Sequence, residues 1–133
     1  MPTLLIVEDN PDIADLMRVI LELGHYHVVT VPHGAAALNW LDQHTADAVI
    51  SDLAMPVLDG WGLHQALADD PRYRHLPMLI TSTMDLSQDE LDQTGGTFLP
   101  KPFAPSALLA AVERLLEAPS NTAPPAQSAE QTR

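Results

Sequence analysis

The sequence predicts an α/β domain built as a small doubly wound sheet of five parallel strands, with helices on both faces. Three observations predict it. Short apolar runs alternate with longer amphipathic stretches, which is the pattern of βαβ units. Five such pairs follow one another between residues 4 and 117. Helix start and stop residues fall between them. At 133 residues the chain is long enough for one domain with its own core and too short for two.

The first strand is Leu4-Leu5-Ile6-Val7, followed by the acidic pair Glu8-Asp9. Asn10-Pro11 then supplies a helix N-cap with proline at the first helical position, opening a helix over 11–23. Gly24, directly after Leu23, reads as its C-terminal stop. A strand over 27–31 and a helix over 34–44 come next, the latter carrying Ala37, Leu38, Trp40 and Leu41. The third strand spans 47–51 and runs into Asp52. A helix over 60–69 opens at Gly60-Trp61, where the indole packs at the helix start. Pro71 and Pro77 bracket the loop before the strand at 78–82. The last pairs are a helix near 86–93, a strand at 97–99 and a helix over 105–117. From Pro119 to Arg133 the chain has no period and no aromatic residue, so residues 119–133 are expected to be a disordered Pro/Ala-rich tail behind a domain of residues 1–118.

Composition excludes several function classes. Eighteen acidic against six basic residues give a net charge of −12, which repels nucleic acid and anionic membrane. Without cysteine there are no disulfides and no thiolate metal sites. No stretch approaches the ~20 apolar residues of a membrane span, and no leader pattern opens the chain, so a cytoplasmic location is expected. Phosphate-loop, nucleophile-elbow and dinucleotide fingerprints are missing from the sequence. The six histidines, His25, His27, His33, His44, His64 and His75, show no ligand spacing with a third partner and read as surface or edge residues.

In an open parallel sheet, ligands bind beyond the carboxyl ends of the strands, where the strand order switches. Glu8, Asp9, Asp52, Ser82 and Lys101, the sole lysine, all fall at or just past strand ends on that edge. Three carboxylates gathered there repel one another unless a cation is present. Hard oxygen donors select Mg²⁺. One carboxylate beside that cation can attack phosphorus, with a lysine ammonium and a serine hydroxyl on the other oxygens. Taken singly, each signal is weak: a strand-end aspartate more often caps a helix or solvates a loop. Their order, with Asp-x-x-Met-Pro-x-x-Asp-Gly from Asp52 to Gly60, makes the combination specific.

Glu8-Asp9-Asn10, the Asp52–Gly60 segment and Lys101-Pro102-Phe103 resemble the receiver domain of two-component response regulators, over about Thr3 to Glu117. The resemblance implies a flavodoxin-like (βα)5 fold and phosphorylation by a sensor histidine kinase or histidine phosphotransfer protein. Asp52 would be the phosphoacceptor. Asp9 would bind Mg²⁺ directly, Glu8 mainly through water, and Ala54 through its backbone carbonyl. Ser82 and Phe98 would be the switch residues, and a cis Lys101–Pro102 peptide would aim the ammonium into the site. The kinase would dock on the first helix, between Asp12 and Leu23.

Departures from the family pattern carry information. Ala54 and Met84 occupy the two positions where polar side chains often assist an attacking water, and Thr83 stands where a smaller residue is usual. A long-lived phospho-form with slow entry of small donors is expected. The segment from Ser82 to Lys101 is short, and its helix carries Asp85, Asp89, Glu90 and Asp92, which argues for a monomer or weak dimer. The leading reading is a stand-alone receiver that is no enzyme and signals through an unidentified downstream protein. Met1 just before the first strand supports independence. The alternatives are a receiver cut from a hybrid kinase or larger regulator, an aspartyl-phosphate phosphatase, and an unphosphorylated docking module. The phosphatases usually carry Asp-x-Asp at the nucleophile, whereas Ala54 stands two residues after Asp52.

Overall fold

The computed structural model describes residues 1–53, 60–83, 86–93 and 97–117. In chain order the elements are β1 (Thr3–Val7), α1 (Pro11–Leu23), β2 (His27–Val31), α2 (Gly34–Leu41), β3 (Ala48–Asp52), α3 (Gly60–Asp69), β4 (Met78–Ser82), α4 (Gln88–Gln93), β5 (Phe98–Pro100) and α5 (Pro105–Glu117). The strands form one parallel sheet in the order β2-β1-β3-β4-β5.

Strand side chains alternate between faces, and here both faces are covered. Leu4, Ile6, Ile50 and Leu79 meet Met17, Ile20 and Leu21 of α1 and Leu108, Val112 and Leu115 of α5. Leu5, Val7, Val49 and Ile80 meet Ala37 and Leu41 of α2 and Leu63 and Leu67 of α3. This double coverage is why the strands read as continuous apolar runs. Each fully buried Leu or Ile contributes roughly 1.5–3 kcal/mol.

Local signals set most boundaries. The Asn10 side chain accepts from the amides of Asp12 (3.0 Å) and Ile13 (3.3 Å), and Pro11 opens α1. His33 caps α2, its Nδ1 accepting from the Ala36 amide at 3.1 Å. That helix ends at Leu41, before the expected residue 44, because the Gln43 amide and the His44 ring both turn back to the Trp40 carbonyl. His44 stacks on the partly buried Trp40, with ring centroids 4.6 Å apart. α4 begins at Gln88 rather than near 86. Ser87 and Glu90 cap it reciprocally: the Glu90 amide bonds the Ser87 hydroxyl at 3.1 Å and the Ser87 amide bonds the Glu90 carboxylate at 2.9 Å. The expected tail at 119–133, Ala54 and Met84 lie outside the described residues.

α1 stops at Leu23 with Gly24 as its C-cap, as expected, but Gly24 is not the left-handed residue. Its φ is −83°, while His25 takes the left-handed conformation at φ 70°. The His25 amide bonds the Glu22 carbonyl and the Tyr26 amide bonds the Leu21 carbonyl, which is a Schellman motif with His25 at C′. Gly24 also gives space: a Cβ there would lie 2.7 Å from Leu109 Cδ2 of α5, which would have to shift. His25→Gly should therefore stabilise the protein by on the order of 0.5 kcal/mol. Gly24→Ala should cost about 1 kcal/mol, as Leu109 has to shift. Urea denaturation of both variants checks this, and a more stable Gly24→Ala would refute the close packing.

Candidate phosphoacceptor and cation site

The chain leaves β1 for β2 on one side and returns to β3 on the other, so the strand order switches between β1 and β3. Val7 lies beside Ser51, Asp52 beside Thr81, and Ser82 beside Pro100. The residues that follow these positions are delivered to one edge in sequence: Glu8, Asp52, Ser82 and Lys101. The Glu8 amide bonds the Val31 carbonyl at 3.0 Å, carrying the β1–β2 pairing one residue past β1 and fixing the turn into Asp9 and Asn10.

One carboxylate oxygen from each of Glu8, Asp9 and Asp52 lies within 4.8 Å of the others, the only such group among the described residues. Glu8 is buried and Asp9 exposed. Lys101 Nζ donates to Glu8 Oε1 at 2.7 Å and stands 3.4 Å from Asp52 Oδ1. The other Glu8 oxygen accepts from the Asn10 amide at 3.2 Å. Burial pushes the Glu8 carboxyl above its ordinary value. The Lys101 hydrogen bond, the Asn10 amide and the Lys101 charge oppose that rise, while the Asp52 charge adds to it. Three carboxylates facing one ammonium leave two uncompensated negative charges in a partly buried cleft. The donors are all hard oxygens, so the residues present fit a divalent cation such as Mg²⁺.

The remaining expected residues are placed around this group. Ser82 closes β4 and is buried, and its carbonyl accepts the Lys101 amide at 2.7 Å. Thr83 is exposed. Phe98 opens β5, half-buried against the second core layer. The Lys101–Pro102 peptide is cis. The sequence reasoning missed that Glu8, rather than Asp52, holds the lysine most closely. It had only the rarity of Lys101 to go on. It also missed His33 as a helix cap.

A parallel five-stranded sheet with an acidic cleft at its switch point defines a flavodoxin-like (βα)5 domain. The response regulator receiver domain model matches residues 4–113. The response regulator Rre1 of Synechocystis is 35% identical over 118 residues, covering 86% of this chain and 51% of its own. The chemotaxis protein CheY4 of Vibrio cholerae superposes with a TM-score of 0.80 at 29% identity, over 87% of this chain and 99% of its own. The receiver domain of the sensor histidine kinase PA1611 of Pseudomonas aeruginosa, solved with a magnesium ion in its active-site cleft, gives 0.77 at 25% identity, over 88% of this chain and 98% of its own. The chain belongs to the response regulator receiver domain family of two-component signalling. Receiver domains are phosphorylated on an aspartate and bind Mg²⁺ in their acidic site; they are generally phosphoacceptors rather than enzymes. The chain spans about half the length of the curated relatives it matches. No helix among the described residues is long and apolar enough to cross a membrane.

Proposed function

We propose that Asp52 accepts a phosphoryl group from a sensor histidine kinase or histidine phosphotransfer protein, in a Mg²⁺-dependent reaction, and that the phosphorylated chain signals through protein contacts. The observation that carries this reading is the convergence of Glu8, Asp9, Asp52 and Lys101 at the switch point. Glu8, Asp9 and Asp52 would hold the ion, with the Ala54 carbonyl as a further ligand. When bound, the ion offsets charge on the phosphoryl oxygens. An Asp52 carboxylate oxygen forms the bond to phosphorus as the phosphorus–nitrogen bond to the donor histidine breaks, and that bond's electron pair stays on the imidazole. Lys101, 3.4 Å from Asp52, would pair with the transferred group, and Ser82, which ends the neighbouring strand β4, would donate a hydrogen bond to it. Ser82, which ends β4, and Phe98, which opens the neighbouring β5, are the proposed switch pair.

The exposed apolar residues Leu16, Val19 and Leu23 on α1 support kinase docking there. The acidic α4 and the net charge of −12 favour a monomer or weak dimer. One reading is a stand-alone cytoplasmic receiver, by its likeness to the chemotaxis protein CheY4. A second reading is a receiver within a larger regulator or hybrid kinase, supported by curated relatives about twice as long and by the PA1611 domain. The mass of the polypeptide in extracts of its source cells separates the two.

The test of function is incubation with Mg²⁺ and acetyl phosphate or phosphoramidate, followed by intact-mass spectrometry. One phosphoryl group per chain, absent with chelator, is expected. Tight Mg²⁺-dependent beryllofluoride binding without an adduct would indicate slow donor entry past Thr83. Failure of both would favour an unphosphorylated docking module. Because Ala54 and Met84 offer no polar atom to an attacking water, the phospho-form should persist for minutes or longer. Ala54→Asn with Met84→Glu should shorten its lifetime by about tenfold or more. A wild-type half-life of seconds refutes the argument.

A further inference from the structure

At the N-terminal ends of β3 and β4, the sheet edge opposite Asp52, the connections enclose a cavity of about 610 Å³. One wall is the α2–β3 connection, residues 42–47, and the other is residues 72–77 ahead of β4. Leu41, Ala46, Leu76 and Pro77 line it with apolar surface, and the partly buried Tyr73 stands among them. The walls are held in place. The Tyr73 hydroxyl donates to the Leu41 carbonyl at 2.9 Å, joining one wall to the other. The Asp47 amide donates to the Thr3 carbonyl and the Asp47 carboxylate accepts from the Thr3 amide, both at 2.7 Å, which ties the first wall to β1. A cleft of this size, largely apolar, with a few polar groups on a fixed frame, has the usual form of a small-molecule site.

Charge selects the ligand. Arg72 donates to Asp70 at 2.8 Å and lies 3.3 Å from Asp42, with its guanidinium 4.7 Å from the centre of the Tyr73 ring. Two carboxylates already hold it, so it offers an anionic ligand little. Asp47 has no basic partner among the described residues. The net charge of −12 adds a field that gathers cations and repels anions.

We propose that this cavity is a second binding site, for a small organic amine: an apolar body seated against Ala46, Tyr73 and Leu76, with its ammonium at Asp47. The site shares no residue with the phosphoacceptor cleft and does not depend on that reading.

The test is titration of phenethylamine into the ¹⁵N-labelled full chain, with 3-phenylpropionate as an anion of similar size. Phenethylamine should shift the amide signals of Ala46, Asp47, Tyr73 and Leu76 saturably, with a Kd of about 1 mM, as suits so small a ligand. 3-Phenylpropionate should bind at least about tenfold more weakly. Asp47→Asn, which keeps an acceptor for the Thr3 amide, should weaken amine binding about threefold or more. Thr45→Trp, at an exposed position on the rim, should fill the cavity and abolish the shifts. Thermal melts report whether both variants fold, and Asp47→Asn decides alone if Thr45→Trp does not. The absence of a saturable shift up to about 20 mM amine would overturn the proposal. So would equal binding of the anion, or an affinity that Asp47→Asn leaves unchanged. Larger shifts at Asp9 and Lys101 than at Ala46 and Leu76 would also overturn it, because the amine would then occupy the acidic cleft at the other edge.

Discussion

Asp52→Ala should take phosphoryl incorporation from one group per chain to none. Of the three clustered carboxylates, only Asp52 is both accessible and close to the ammonium. Glu8 is buried, with both oxygens engaged. Asp9 is exposed but is not among the residues paired with Lys101. A nucleophile needs a free lone pair in line with the phosphorus and cations on the equatorial oxygens. Asp52, last residue of the central strand β3, has a neighbouring strand on each side to hold it there. Intact-mass spectrometry with acetyl phosphate and Mg²⁺ reads the result. The variant should fold at least as well as wild type, since one of three mutually repelling carboxylates is removed. An adduct that persists on a folded Asp52→Ala chain would move the acceptor elsewhere.

Leu21→Ala should cost about 3 kcal/mol, whereas Leu23→Ala, two residues along the same helix, should cost under about 0.5 kcal/mol. Leu21 is fully buried against the sheet and α5, and its truncation leaves a cavity in the first core layer. Leu23 is 77% exposed. A domain of this size has roughly 5–15 kcal/mol in total, so the first loss is a large share of it and should lower the melting temperature by on the order of 10 °C. Thermal melts of the two variants check the pair. Equal effects would mean that α1 packs in a different rotation.

That pair shows where sequence reading stops. Periodicity places α1 over 11–23, as found, but by itself does not sort Leu16, Met17 and Ile20 into core and surface. Sorting them depends on which sheet residues and which other helix share the layer, and α5 lies more than 80 positions away in the chain. The end of α2 and the start of α4 differ from the expected positions for local reasons, and so does the residue that turns left-handed after α1. Gly24 carries the usual signature of a left-handed cap, yet His25 takes that conformation and Gly24 yields space to Leu109. The Ser87–Glu90 capping box was legible and was overlooked.

The sequence by itself determined the architecture and which charged residues gather at one edge of the sheet. Five apolar runs with amphipathic helices between them admit one economical packing, a parallel sheet covered on both faces. Acidic and cationic residues placed at strand ends then must meet along one edge, because parallel strands all end on the same side. Tertiary structure alone decided how those charges share one another. Whether the lysine rests on Glu8 or on Asp52 depends on ångström differences among strands 93 and 49 positions apart from it, and on how deeply each carboxylate is buried. Local sequence encodes neither, because burial and Coulomb energy depend on distance in space and not along the chain.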